Sequence, residues 1–188
     1  MLYIITIITG AVIIALVNIF FVFTPDLWLS ISIATVIGVL AIIAEDAITA
    51  LIVRRLTPKT WYTPERKLFG VSARERKFYT KLKIKKWKDH VPELGTFTGF
   101  SKGEIKEAEN EKYLSRFLLE ANYGVIIHIV NAVLGFVIAF IPICSAPSIW
   151  IPIYAVNFIL CILPVAVLRY TSHTLLKLYK RSKKKPLE

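Results

Sequence analysis

Two long stretches of this 188-residue chain, residues 1–53 and 117–168, contain no Lys or Arg at all. Cysteine is nearly missing too. Cys144 and Cys161 are the only two, at different expected depths, which argues against a disulfide between them and against a thiol metal site. The chain has no GxSxG elbow, no HExxH pair, no CxxC and no phosphate-binding Gly loop. The HxxxxD acyltransferase pattern is absent as well: Gly95 follows His90 by five positions, and Val133 follows His128. Metal and nucleotide chemistry therefore have no support in the sequence, and no bound cofactor is expected.

What fills the cation-free stretches is hydrocarbon. Residues 2–23, 27–53, 122–141 and 149–168 each have the length and polarity of a membrane-spanning helix, for which about 20 apolar residues suffice. At 55% apolar composition this is not a soluble domain with a large core. The expected fold is all-α and integral to the membrane: a four-helix transmembrane bundle in one domain, with a basic amphipathic loop over residues 54–121. The first segment lacks a basic start and an A-x-A-like cleavage site, so it reads as a retained helix rather than a signal peptide. Of the 24 basic residues, 17 fall in the 54–121 connection and 7 in the tail from Arg169 onward. The short turns around Thr24–Asp26 and Pro142–Ser148 hold none. By the positive-inside rule both termini and the loop face the cytoplasm, in a multi-pass protein of the cell membrane.

The net charge of +11 therefore faces one membrane surface, which suits anionic lipid headgroups rather than nucleic acid. In the loop, Trp61, Tyr62, Phe69, Phe78, Tyr79, Leu82, Ile84 and Trp87 alternate with cations. Such a pattern suits a segment lying among headgroups, with its rings dipping inward. Ser101 with Glu104 fits a capping box, from which a single helix over about 102–141 would carry Glu107, Glu109, Glu111 and Glu120 into the third segment. The tail reads as a short basic amphipathic helix after Arg169-Tyr170.

Ionisable side chains inside apolar segments are costly, about 2.5–3.5 kcal/mol each by insertion scales. Glu45 and Asp46 lie about 12 Å before the end of the second segment, and His128 about 12 Å past Glu120. Asn131 follows His128 by one turn, and Asn157 lies nearer the midplane. These depths suggest a site in the inner leaflet, with His128 as general base and a carboxylate, Glu120 or Glu45, polarising it. The alternative for the same residues is hydrogen bonding between helices. Asp89-His90, at the membrane surface, is a second candidate pair.

The run Arg76–Gly95 is the most distinctive string, and with it go Leu56-Thr57-Pro58-Lys59, Trp61, Phe78-Tyr79 and Lys85–Asp89. Glu120 with His128 eight residues on, Pro164, and Arg169-Tyr170 complete a pattern covering about two-thirds of the chain. The pattern resembles the glycosyl-4,4'-diaponeurosporenoate acyltransferase family of staphyloxanthin-type carotenoid biosynthesis. Segments one and two share only their hydrophobicity with it.

The resemblance implies transfer of a fatty acyl group onto a sugar hydroxyl of a membrane-embedded glycosylated carotenoid, a lipid-linked substrate. An acyl-CoA or equivalent donor would be the co-substrate. Trp87, Lys88, Glu120, His128 and Arg169 match the shared pattern. Lys86, Lys88 and Arg169 would hold an anionic donor group, with Trp87 and Phe78 at the entrance. Asn131 and Asn157 complete the substrate-binding candidates. A non-enzymatic scaffold or lipid-binding partner of a lipid pathway is the alternative, followed by another lipid-acting transferase such as a methyltransferase. The oligomeric state is left open by the sequence.

Overall fold

The computed structural model describes residues 2–91, 105–139 and 146–184, and all regular structure among them is helical. Four helices are long and apolar enough to cross a membrane: Ile4–Val22, Pro25–Arg55, Glu111–Val137 and Pro147–Ser182. The Ser101–Glu104 capping box and Cys144 lie outside the described residues.

Helix α1 (Leu2–Val17) continues into a π-helical turn, Asn18–Val22. A 3-10 turn over Pro25–Leu27 leads into α2 (Trp28–Arg55). The basic loop holds two short helices, α3 (Ala73–Lys81) and α4 (Ile84–Trp87), with 3-10 turns at Lys59–Tyr62, Lys67–Phe69 and Lys88–His90. Helix α5 is Glu111–Ala139, and α6 is Pro147–Ser182.

Helix α5 starts later than the expected residue 102, and the reason is local. Asn110 Oδ1 accepts from the Tyr113 amide at 3.1 Å, an N-cap that fixes the first turn, and Glu111 sits favourably at the positive end of the helix dipole. Helix α6 differs in the opposite sense. The basic tail is no separate helix: with neither Gly nor Pro between Pro164 and Ser182, α6 runs unbroken for 36 residues. That is about 54 Å, well beyond a hydrocarbon core of about 30 Å.

Two compact units partition the chain. The first comprises Met1–Leu51 and Ile129–Ile162. Its core joins Ile14, Ile31, Ile42, Ile149, Ile153 and Tyr154. Close approach depends on small residues: a Cβ on Gly38 would lie 2.8 Å from Ile153 Cδ1, and one on Gly135 would lie 3.0 Å from Tyr154 Cδ1. The outer faces stay apolar, as with Phe21 at 85% exposure, which fits lipid as the surrounding medium. Two hydroxyls of this unit are answered within their own helix, Thr35 and Ser32 donating to the carbonyls of Ile31 and Trp28 at 2.8 Å.

The second unit comprises Ile52–His128 and Leu163–Glu188. Leu114, Phe117, Leu118, Leu175 and Tyr179 form one core cluster, and Ala121, Val125 and Leu168 another. The loop aromatics divide between two environments. Tyr62, Phe69 and Ile84 turn inward and are buried, while Leu56, Trp61, Leu68, Phe78 and Leu82 stay exposed among the cations. Only the second set is free to dip into a headgroup layer.

Candidate functional site

In the second unit, ion pairs organise the loop. Ser72 caps α3 by accepting from the Glu75 amide, which leaves the Glu75 carboxylate pointing away from its own helix start. Arg169 takes that carboxylate in a two-pronged grip, Nε and Nη2 donating to Oε1 and Oε2 at 2.8 Å each. The same guanidinium donates to the carbonyls of Leu68 and Gly70 at 3.2 and 3.1 Å, and the Tyr79 hydroxyl donates to Glu75 at 2.8 Å. Burial pushes the Glu75 carboxyl upward, but the hydrogen bonds from Arg169 and Tyr79 outweigh it and hold the group below its ordinary value. Burial and the Glu75 carboxylate together push the Tyr79 phenol up to about 12. Arg169, expected to hold substrate, thus has these donors committed to the fold.

Glu120 is held in the same manner. Both terminal nitrogens of Arg54 donate to its Oε2 at 2.9 Å, and the guanidinium carbon lies 5.4 Å from the centroid of the Tyr123 ring. The Tyr123 ring packs at a tilt of 34° on Tyr62, 4.3 Å between centroids, and the Tyr62 backbone carbonyl accepts from Asn122 at 2.8 Å. Helix α5 is unbroken between Glu120 and His128, a rise of about 12 Å along one rod. His128 is half-buried within its apolar part.

The other loop candidates are consecutive on α4 and the turn after it. Trp87 is half-buried and its indole donates to the Leu82 carbonyl at 2.9 Å. Lys88 reaches Asp89 at 2.6 Å, turning that carboxylate toward a cation, while Lys86 and His90 are exposed. Lys83, between α3 and α4, adopts the left-handed conformation at φ 54°.

In the first unit the polar groups are buried with far fewer partners. Both carboxylate oxygens of Glu45 are buried and have no hydrogen-bond partner. Asp46 is next to it in the sequence. Cys161 contacts Asn157 Oδ1 at 3.8 Å. The amide nitrogen of Asn157 is buried with no partner, and so is the amide oxygen of Asn131. Asn157 Nδ2 occupies the space opened by Gly135, 3.5 Å from where a Cβ would stand, one turn past Asn131 on α5. Glu45, Asp46, Cys161, Asn157 and Asn131 are thus polar groups of this apolar unit, and Asn157 also lines a cavity there.

Several residues that organise these regions carry no obvious signal in the sequence. Arg54, Glu75, Tyr79 and Asn122 look like ordinary interface or surface positions. The Ser72–Glu75 spacing is a capping-box signature and was a usable pointer to the start of α3. Asn18 is another: its Nδ2 donates to the Ile14 and Ser148 carbonyls at 2.8 and 3.1 Å, tying the end of α1 to the first turn of α6. Among the described residues no cluster of His, Cys, Asp and Glu is arranged to hold a metal ion.

No curated protein and no solved structure matches the chain. Residues 58–181 match a family model described as glycosyl-4,4'-diaponeurosporenoate acyltransferase. The matched stretch spans about two-thirds of the sequence and includes every candidate site residue except Glu45. This membrane protein therefore belongs to the glycosyl-4,4'-diaponeurosporenoate acyltransferase family.

Proposed function

We propose that the protein is a membrane acyltransferase that moves a fatty acyl group onto a sugar hydroxyl of a glycosylated carotenoid or similar lipid-linked sugar. The observation that carries the proposal is the family match over 58–181, which contains a titratable His within the apolar part of α5. The step would be the late, acylating one in a staphyloxanthin-type sequence. The acyl donor is an acyl-CoA or an equivalent activated ester.

In the proposed chemistry an imidazole nitrogen of His128 takes the proton of the sugar hydroxyl as its oxygen attacks the donor's carbonyl carbon. The tetrahedral intermediate collapses with expulsion of the thiolate, which takes the proton back from the imidazolium, leaving an ester and a free thiol. Metal is not needed for this balance. Lys86 and Lys88, on the surface of the basic loop, attract the anionic part of the donor. Arg169 and Glu120 act as positioning residues, keeping loop and helices in register through Glu75 and Arg54. The cation distribution supports a cytoplasmic location for the loop and both termini.

Comparative lipid and pigment mass spectrometry on cells with and without the gene tests this. Loss of an acylated glycolipid with accumulation of its unacylated precursor is the expected result. An unchanged lipid profile would remove the basis of the enzyme reading and favour a scaffold.

A further inference from the structure

Within the second unit, α3 is pinned at the point where α6 leaves hydrocarbon. Residues 117–168 hold no Lys or Arg, and Arg169, the first cation after them, grips Glu75 on α3. Three apolar side chains stand out around that grip. Leu68, whose carbonyl accepts from Arg169, is 67% exposed, while Phe78 on α3 and Leu82 at its C-cap are 57% and 44% exposed. We propose that α3 and the turn before it form an in-plane anchor, which inserts Leu68, Phe78 and Leu82 into the adjoining lipid leaflet and gathers anionic phospholipid around them. The inference stands apart from the acyltransferase reading, since neither acyl donor nor acceptor enters it.

Helix geometry sorts the side chains of α3. Glu75 and Tyr79, four residues apart, form the stripe tied to Arg169, with the Tyr79 hydroxyl donating to Glu75 at 2.8 Å. Phe78 and Leu82, also four apart, form the neighbouring stripe. Beyond it come Arg74, Lys77 and Lys81, all exposed. Arg54 and Arg169 are answered by carboxylates, but none of these three has an ion-pair partner among the described residues. An apolar stripe bordered by unanswered cations is therefore held at the edge of the hydrocarbon.

A phospholipid leaflet answers both halves of that surface. Acyl chains cover the ring and the two leucines, and phosphates meet the cations, whose long stems let them reach upward from the same depth. A second copy of the chain is a poorer occupant, because it would bring the same cations against these.

The test uses the full chain with both cysteines replaced (Cys144→Ser, Cys161→Ala), reconstituted in bilayers of equal phosphatidylglycerol and phosphatidylcholine. A bimane fluorophore is placed by Phe78→Cys or, on the opposite side of α3, by Thr80→Cys, in preparations whose unfolding profiles match the unlabelled protein. One lipid at a time carries bromine on its acyl chains as the quencher. Brominated phosphatidylglycerol is expected to quench the bimane at position 78 several-fold more than brominated phosphatidylcholine, since each basic side chain near the surface contributes a preference of about fivefold. That preference should vanish in about 1 M salt, where charges are screened beyond about 3 Å, and in the variant Arg74→Gln, Lys77→Gln, Lys81→Gln. The bimane at position 80 should be quenched by neither. Equal quenching by the two lipids at position 78 would show apolar contact without headgroup recognition and overturn the proposal. Quenching by neither at position 78 would overturn it as well and leave the face to a protein partner or a second copy. Equal quenching at positions 78 and 80 would contradict the one-sided anchor.

Discussion

The two units treat polar groups in opposite ways. In the second, each charge that holds the loop has an answering group: Arg54 with Glu120, Arg169 with Glu75, Tyr179 and Lys183 with Glu65. The Tyr179 hydroxyl holds the Glu65 carboxyl below its ordinary value, as Arg169 and Tyr79 do for Glu75. In the first unit, surrounded by apolar faces, Glu45, Asn131 and Asn157 each keep buried polar atoms without hydrogen-bond partners. A satisfied network rigidifies, whereas an unsatisfied one inside hydrocarbon is tolerated only where something else uses it. The second unit is thus tied together by answered charges, and the first keeps buried polar atoms that lack hydrogen-bond partners. The Tyr123 hydroxyl is the exception in the second unit, buried without a partner beside the Arg54–Glu120 pair.

His128, inside α5, is where the largest functional effect is expected. His128→Ala should lower acyl transfer by about 10²- to 10⁴-fold, the usual contribution of a general base, with thermal unfolding unchanged within a few degrees. Equal loss of folded protein and of activity would make His128 structural instead.

Breaking the frame should cost stability before it costs chemistry. Arg169→Ala removes a two-pronged pair and two carbonyl bonds, and should destabilise the second unit by about 2–3 kcal/mol, read as a lower unfolding midpoint in detergent. Arg169→Lys should recover only part, because an ammonium cannot reproduce the planar fork. A neutral effect of Arg169→Ala on stability, with a large rise in donor KM, would return Arg169 to the substrate-binding role first expected of it. In the first unit Asn18→Ala should cost about 1–2 kcal/mol by releasing the Ser148 carbonyl.

The Glu75 pair also sets a pH dependence. Its folded carboxyl lies below the ordinary 4.5, so its contribution is complete above about that pH and is lost as pH falls through the lower folded value. Limited proteolysis of the loop should accelerate in that acidic window for the wild type, whereas Glu75→Gln should already be susceptible at neutral pH and change less. The smallest effect belongs to Lys83. Lys83→Gly relieves a left-handed backbone and should stabilise the α3–α4 turn by about 0.5 kcal/mol, measurable only by a matched denaturation pair.

How much of this was legible beforehand follows the physics of each signal. Long apolar runs announced the four helices, because hydrocarbon length is written directly in composition. The start of α5 was misplaced because Asn110 caps the helix, and a cap is one hydrogen bond, not a pattern. The continuity of α6 was hidden by its charge change at Arg169, which marks a membrane boundary and not a helix end. His128, Asn131 and Asn157 stood out because polar residues are conspicuous in apolar runs. Arg54 and Glu75 did not: their partners lie 66 and 94 residues away, and no local spacing encodes such a pair.

The most direct test of the account is acyl transfer by the purified protein alone. It would be reconstituted in vesicles with acyl-labelled palmitoyl-CoA and a glycosylated carotenoid acceptor. Label is expected to move into an ester of the acceptor's sugar, with free CoA released in equal amount. Label remaining in the thioester, in a preparation whose unfolding profile shows a folded protein, would contradict it.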